Sequence, residues 1–167
     1  FYEKIKVPPP TFCQECRMVR RMLHRNESTW YRRKCDATGK EMISMFAPEK
    51  PFTVYAQEYW KSDEWDPLSY SRDYDFSRPF FEQFFELMKE VPFPNLIQKN
   101  VVNSEYTNYT LNQKNTYFVG GSDTAEDCAY MFGSNIRVKD CFDTYRVGDL
   151  ESCYEVTDCE KSSNLFF

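Results

Sequence analysis

The chain has 167 residues, enough for one mid-sized domain or two small ones. Hydrophobic residues make up 41% and aromatic residues 18%, with 12 Tyr and 15 Phe, too much apolar ring surface for a chain that stays unfolded. No run approaches the ~18 apolar residues that cross a bilayer and no basic-then-apolar leader stands at the N-terminus, so no membrane partner is expected. The chain opens at Phe1 rather than Met, which is compatible with an upstream segment having been removed or left out. The single histidine, His24, excludes a His-rich metal centre and leaves Ser-His-Asp chemistry dependent on that one residue.

Charge and cysteine are both divided along the chain. Residues 1–50 carry a balance of +5 and residues 51–167 a balance of −10, so the net −5 hides a basic head. Cys13, Cys16 and Cys35 lie in the head, and Cys128, Cys141, Cys153 and Cys159 lie in the tail. Seven cysteines cannot all pair within one chain, so reduced thiols and a cytoplasmic setting are expected, with a cell-surface or extracellular setting if the tail is oxidised.

In chain order, Pro8-Pro-Pro10 is a stiff lead-in to Cys13-Gln-Glu-Cys16. Two thiolates at this spacing can curl around one Zn²⁺, the first half of a zinc ribbon. Cys35-Asp-Ala-Thr38-Gly39-Lys40 has the form of a second knuckle, but Thr38 stands where a fourth cysteine is expected. That leaves Cys13, Cys16 and Cys35 as the expected metal ligands, with Asp36 or a water completing the shell, or a metal lost and the fold kept. His24 is a poor fourth ligand. On a helix it lies eight residues past Cys16, about 12 Å along the axis.

Between the knuckles, Arg17, Arg20, Arg21, His24 and Arg25 recur at helical spacing and form one cationic face, while Val19, Met22 and Leu23 are expected to turn toward a core. Arg32-Arg33-Lys34 adds a second basic cluster. Each phosphate such a surface neutralises releases counterions, and Trp30 and Tyr31 are candidates to stack on bases. The competing reading pairs these cations with the acidic tail of the same protein or with the acidic surface of a partner, and makes Trp30 core.

Residues 42–100 open with a short strand at Glu41–Phe46 and then interleave aromatic residues with acids, which lack Ca²⁺-loop spacing and read as ordinary loop carboxylates. A helix is predicted at about 78–90, capped by Ser77, with Phe80, Phe81, Phe84, Phe85 and Met88 in one stripe that serves as core or caps the next segment. From about Asn103 the chain repeats. Thr116, Cys128, Cys141 and Cys153 fall in one column at steps of 12, 13 and 12 residues, and Cys159 follows half a step later. Short strands with small or thiol residues inward, separated by polar turns, predict a parallel β-solenoid in which two steps make one coil. The run Ser162–Phe167 ends on apolar residues without a polar cap, an edge that calls for further chain or a covering subunit.

The predicted fold is therefore mainly β with short helices: a zinc-ribbon-like basic region at 1–50, an aromatic and acidic connector at 51–102 carrying a capping helix, and solenoid repeats at 103–167. Cys13-Gln-Glu-Cys16-Arg, Arg33-Lys-Cys-Asp-Ala-Thr-Gly-Lys40, Ala47-Pro-Glu-Lys-Pro51, Tyr59-Trp-Lys-Ser-Asp-Glu-Trp-Asp-Pro67 and Asp75-Phe-Ser-Arg-Pro-Phe-Phe-Glu-Gln-Phe84 together resemble a family abundant in candidate-phyla (Patescibacteria) genomes. The resemblance spans nearly the whole chain and implies a zinc-ribbon region followed by a cysteine-rich repeat. Some members carry further C-x-x-C pairs near the Cys35/Thr38 and Ala56/Tyr59 positions, from which Thr38, Ala56 and Tyr59 depart.

No nucleophile–base pair and no Gly-rich phosphate loop is present, so an enzyme is not expected. The expected function is a nucleic-acid-binding module, with RNA a candidate ligand, acting through Arg17, Arg20, Arg21, Arg25, Arg32, Arg33 and Lys34. The alternative is a structural protein that self-associates through its solenoid ends.

Overall fold

The computed structural model describes residues 1–23, 26, 28–135, 137–143, 150–153 and 162–163. Helix α1 (Gln14–Met22) begins at Cys13, whose extended backbone and thiol cap the first turn by accepting from the Cys16 N–H. Strands β1 (Tyr31–Lys34) and β2 (Glu41–Ser44) form an antiparallel hairpin with Tyr31 opposite Ser44 and Lys34 opposite Glu41. The loop between them is closed by Cys35 N–H to Lys40 O at 2.9 Å and Gly39 N–H to Cys35 O at 2.8 Å. Gly39 sits at φ +72°, a left-handed conformation that glycine adopts at no steric cost.

The connector holds β3 (Val54–Tyr55), α2 (Gln57–Trp60), a 3₁₀ turn at Pro67–Tyr70, α3 (Phe80–Glu90) and β4 (Phe93–Pro94), which pairs in parallel with β3. Its rings pack in two groups. Phe46, Phe52 and Phe93 meet at centroid distances of 5.2–5.6 Å, and Tyr55, Tyr59, Trp60, Trp65 and Tyr70 form a second chain at 5.2–6.2 Å.

Two expectations about α3 are corrected. Ser77 does not cap it, because its hydroxyl is bonded to Asp75 at 2.6 Å and the residue before the helix is Pro79, whose side chain makes no cap bond. The aromatic stripe is neither core nor cap. Phe80, Phe81, Phe84 and Phe85 are all exposed, and α3 has no buried residue; Phe85 meets the connector through Phe52 at 6.5 Å.

The tail is a parallel β-solenoid. Strands β5 (Gln98–Val102), β7 (Thr110–Lys114), β9 (Ala125–Glu126), β11 (Val138–Cys141), β12 (Leu150–Cys153) and β13 (Ser162–Ser163) form one six-stranded sheet. A second sheet is made of β6 (Glu105–Asn108), β8 (Tyr117–Ser122) and β10 (Ala129–Asn135). The ladder thus begins at Gln98, ahead of the Asn103 at which the sequence repeat becomes readable.

Register shows that one step of the repeat closes one coil, where the sequence had suggested two. Gln98 pairs with Thr110, Gln113 with Ala125, Ala125 with Val138 and Val138 with Leu150. The tight coil comes from its corners. Asn100, Asn103, Tyr106, Tyr109, Asn112, Asn115, Phe118 and Gly121 all have positive φ, so every third residue turns the backbone through the left-handed region. Inside the coils Val119, Ala125, Cys128, Met131, Val138 and Cys141 form the core.

The N-terminal edge of the solenoid is covered by the head and connector. The Gln98 carbonyl accepts from Gln57 Nε2 at 2.6 Å and Lys61 Nζ at 3.2 Å, and buried Asn108 donates to the Asn26 carbonyl at 3.0 Å. Asn95 ties β2 to α2, donating to Ile43 O at 2.7 Å and accepting from the Gln57 N–H at 2.8 Å. The cap expected from α3 is supplied by α2 and the hairpin region instead.

Candidate functional site

The three cysteines expected to share a metal are not gathered. Cys13 and Cys16 are exposed at the start of α1, whereas Cys35 is buried beneath the hairpin turn. Among the described residues no group of three or more His, Cys, Asp or Glu side chains is placed to hold a metal ion. His24 lies outside the described residues. Asp36, considered as a fourth ligand, is committed elsewhere: one carboxylate oxygen accepts from the Val54 N–H at 2.7 Å and from Arg33 Nη2 at 2.9 Å. The residues present therefore do not make one zinc sphere in this arrangement.

The sulfurs of Cys13 and Cys35 nonetheless sit among hydrogen-bond donors. The Cys16 N–H and thiol, followed by the Glu15 N–H and the charge of Arg17, hold the Cys13 thiol below its ordinary pKa. Burial pushes the Cys35 thiol up, but the Thr38 hydroxyl and the N–H groups of Ala56, Thr38 and Ala37 outweigh it and leave the pKa lowered. Ala56 N–H lies 3.2 Å from Cys35 Sγ. Residues Cys35–Lys40 thus form a hairpin turn with a backbone amide directed at the Cys35 sulfur.

The basic residues divide into internal and free groups. Arg33 is spent inside the head: its side chain is 8% exposed, pairs with Asp36, and donates to Phe52 O at 2.6 Å and Ala47 O at 3.4 Å. Arg17 is half-buried, with its Nε enclosed and unpartnered. Arg25 lies outside the described residues. Arg20 and Arg21 on α1, and Arg32 and Lys34 on β1, are exposed and make no ion pair with a described residue. Arg20 lies over the Phe12 ring at 5.6 Å.

Strand alternation explains the split on β1. Tyr31 and Arg33 are half-buried and turn to the inner face, while Arg32 and Lys34 between them are exposed on the outer one. Of the cationic face expected on α1, Arg17, Arg20 and Arg21 lie on the helix, which ends at Met22, and the opposite face meets no core among the described residues. Val19, Met22 and Leu23 are 52%, 62% and 79% exposed, because no element packs over them among the described residues.

Trp30, for which base stacking and a place in the core were both open, is half-buried and joins head to solenoid. Its ring lies 4.5 Å from Phe118 and 6.0 Å from Phe132. From there aromatic contacts continue over three coils: Phe118 to Tyr130 at 6.0 Å, Tyr106 to Tyr117 at 5.6 Å and Tyr117 to Tyr130 at 5.7 Å. This strip escaped the sequence reading, although Tyr106, Phe118 and Tyr130 are spaced 12 residues apart and that period was available as a signal.

The thiol column of the tail is partly described. Cys128 and Cys141 are buried on adjacent coils, and register places Cys153 on the rung after Cys141. Cys159 and the terminal stretch 164–167 lie outside the described residues. Compared with known proteins, the chain matches no family model, no curated protein and no solved structure. No helix of the described residues is long and apolar enough to cross a membrane.

Proposed function

We propose that the protein is a non-enzymatic nucleic-acid-binding module whose basic head contacts phosphates while the solenoid serves as a rigid platform. The observation that carries this reading is the set of exposed cations, Arg20, Arg21, Arg32 and Lys34, which have no carboxylate partner among the described residues although the rest of the chain is acidic. Cations left free in an acidic protein favour a polyanion as the outside partner. Arg33 is excluded from this role by its internal bonds, and Arg17 contributes from a half-buried position.

The test is binding of labelled RNA and DNA oligonucleotides across a salt series. Each phosphate neutralised contributes a slope of about −0.7 for single strands or about −0.9 for duplex in log K against log salt. Joint reversal of Arg20, Arg21, Arg32 and Lys34 to Glu is expected to abolish binding and flatten that slope. Salt-independent binding, or wild-type affinity in the reversed variant, overturns the reading.

Self-assembly by end-to-end stacking draws less support. The first rung has its Gln98 carbonyl engaged by Gln57 and Lys61, so a second copy would have to displace both donors to extend the sheet at that end. Light scattering over a concentration range that shows reversible growth would favour it.

A further inference from the structure

Helix α1 carries a face that no described part of the chain covers. Glu15, Cys16, Val19, Arg20 and Leu23 line, together with Phe12, an open groove of about 430 Å³ along its side. Phe12, Val19 and Leu23 are all exposed, and the helix has no buried residue. Leu23 follows the last helical residue but keeps a right-handed backbone, so its side chain continues the row. Phe12 closes the other end, with its ring 5.6 Å from the Arg20 guanidinium. Cys16, Val19 and Leu23 stand at steps of three and four residues, the a, d, a spacing of a two-stranded coiled coil. Glu15 then falls at g and Arg20 at the following e, so the two edges of the seam carry opposite charges.

We propose that α1 pairs with α1 of a second copy, side by side and parallel, across this seam. The charge pattern selects both the occupant and its direction. In a parallel pair the g residue of one helix meets the e residue five positions on in the other, so Glu15 of each copy faces Arg20 of its mate. An antiparallel pair sets e against e and g against g, which puts arginine on arginine and glutamate on glutamate. The exposed phenylalanine stripe of α3 is a poorer match for this seam, because Glu86 and Glu90 of that helix are already paired with Arg78 and Arg72. Two short helices bury little area, so the dimer is weak and reversible. Arg21 lies on the far side of α1 and stays free, so the contact neither needs nor blocks nucleic-acid binding. It also leaves the solenoid ends unused.

Sedimentation velocity over a concentration series reads the association. The wild-type chain is expected to shift from monomer to dimer, and the Val19→Ser, Leu23→Ser variant to remain monomeric. Both side chains are exposed, so near-UV circular dichroism of that variant should match wild type. Glu15→Arg alone and Arg20→Glu alone each set like charges across the seam and are expected to weaken the dimer about tenfold. An equimolar mixture of these two variants restores both opposite-charge pairs and is expected to associate as wild type does. In a Cys13→Ser background, where serine still caps the helix, copper–phenanthroline oxidation should link Cys16 of the two copies. Facing a positions meet the Cα separation of about 4–7 Å that a disulfide needs, and adding Cys16→Ser should abolish the crosslink. A chain that stays monomeric throughout the series, or a dimer that survives Val19→Ser, Leu23→Ser, overturns the proposal. A mixture as weak as its two components, or no Cys16 crosslink, overturns the parallel pairing. Cosedimentation of a persistent monomer with phosphatidylglycerol vesicles, lost in the Val19→Ser, Leu23→Ser variant, assigns the face to a lipid surface and also overturns it.

Discussion

The backbone N–H of Cys141 donates to the Sγ of Cys128 on the coil below, at 3.5 Å. The same device appears two coils earlier, where the Thr116 N–H donates to Ser104 Oγ at 3.0 Å. In each case the acceptor also donates to the carbonyl two residues before it: Cys128 to Glu126 O at 3.0 Å, Ser104 to Val102 O at 2.8 Å. Cys141 repeats the donor half, to Lys139 O at 3.1 Å. A hydroxyl or thiol in this column is thus a two-way link that satisfies corner backbone groups where the sheet ladder is interrupted. Cys128→Val removes the link, a cost of about 1 kcal/mol. Cys128→Ser keeps both bonds and is expected to cost less than Cys128→Val in urea denaturation. Equal losses would show that packing alone decides the column.

A second column carries alternating charge. Register stacks Lys114, Glu126, Lys139 and Glu151 on successive rungs, and Lys114 Nζ meets Glu126 at 2.5 Å. Glu126→Lys would place three lysines on consecutive rungs and is expected to lower the thermal midpoint. The quadruple variant Lys114→Glu, Glu126→Lys, Lys139→Glu, Glu151→Lys restores alternation along the whole column and should recover the midpoint. The gap between the two variants should shrink near 1 M salt, where the screening length falls to about 3 Å. A gap independent of salt would rule out the charge column as its cause.

The corners give a third prediction. Asn115 has φ +50° and stands in the middle of a side-chain ladder, accepting from Asn103 at 2.8 Å and donating to Asp127 at 2.9 Å. Asn tolerates this backbone region far better than Ala. Asn115→Ala is expected to cost roughly 1–3 kcal/mol, combining strain with two lost bonds. Asn115→Gly loses the bonds but not the backbone freedom, and should cost less. Chemical denaturation of the two variants measures the difference, and an Ala variant as stable as the Gly one would remove strain from the account.

Alkaline pH tests the aromatic connector. Burial, followed by the hydroxyl bond to Tyr70, pushes the Tyr55 phenol up to about 12. Between about 10, the ordinary phenol value, and about 12 the unfolded chain has released this proton while the folded one retains it. The unfolded state then binds fewer protons, so stability falls as pH rises through that window and is unaffected by this group below it. In Tyr55→Phe the loss of stability over the window should be smaller than in the wild type, and the last phenolate absorbance step should disappear. Amplitude lost near pH 10 in Tyr55→Phe, instead of from the last step, would mean that the Tyr55 phenol is not raised.

Much of the repeat could be read from the residues, and its geometry could not. The column of Thr116, Cys128, Cys141 and Cys153 announced parallel stacking, since only register-matched coils return small or thiol residues to one place. Coil length stayed hidden because Tyr106, Tyr109, Phe118 and Tyr130 are not residues that signal a left-handed corner, although Asn100, Asn103, Asn112 and Asn115 are. In the head, spacing found the cationic face of α1 but supplied a core for its other side that tertiary packing does not provide. Arg33 and Arg32 are neighbours with opposite roles, and pattern alone could not separate them. The bonds of Arg33 to Asp36, Ala47 and Phe52 separate them, and those partners are distant in sequence or on the far side of the turn.

The bond from Asn108 to the Asn26 carbonyl joins residues 82 positions apart, whereas neighbouring coils touch across 12 or 13. Coil formation is therefore a local zipper that propagates one rung at a time, with little loop entropy to overcome at each step. Docking the head onto the first coil closes one long loop and belongs late in assembly. The chain thus combines two kinds of closure, short ones that repeat within the solenoid and one long one that holds the head on its first coil.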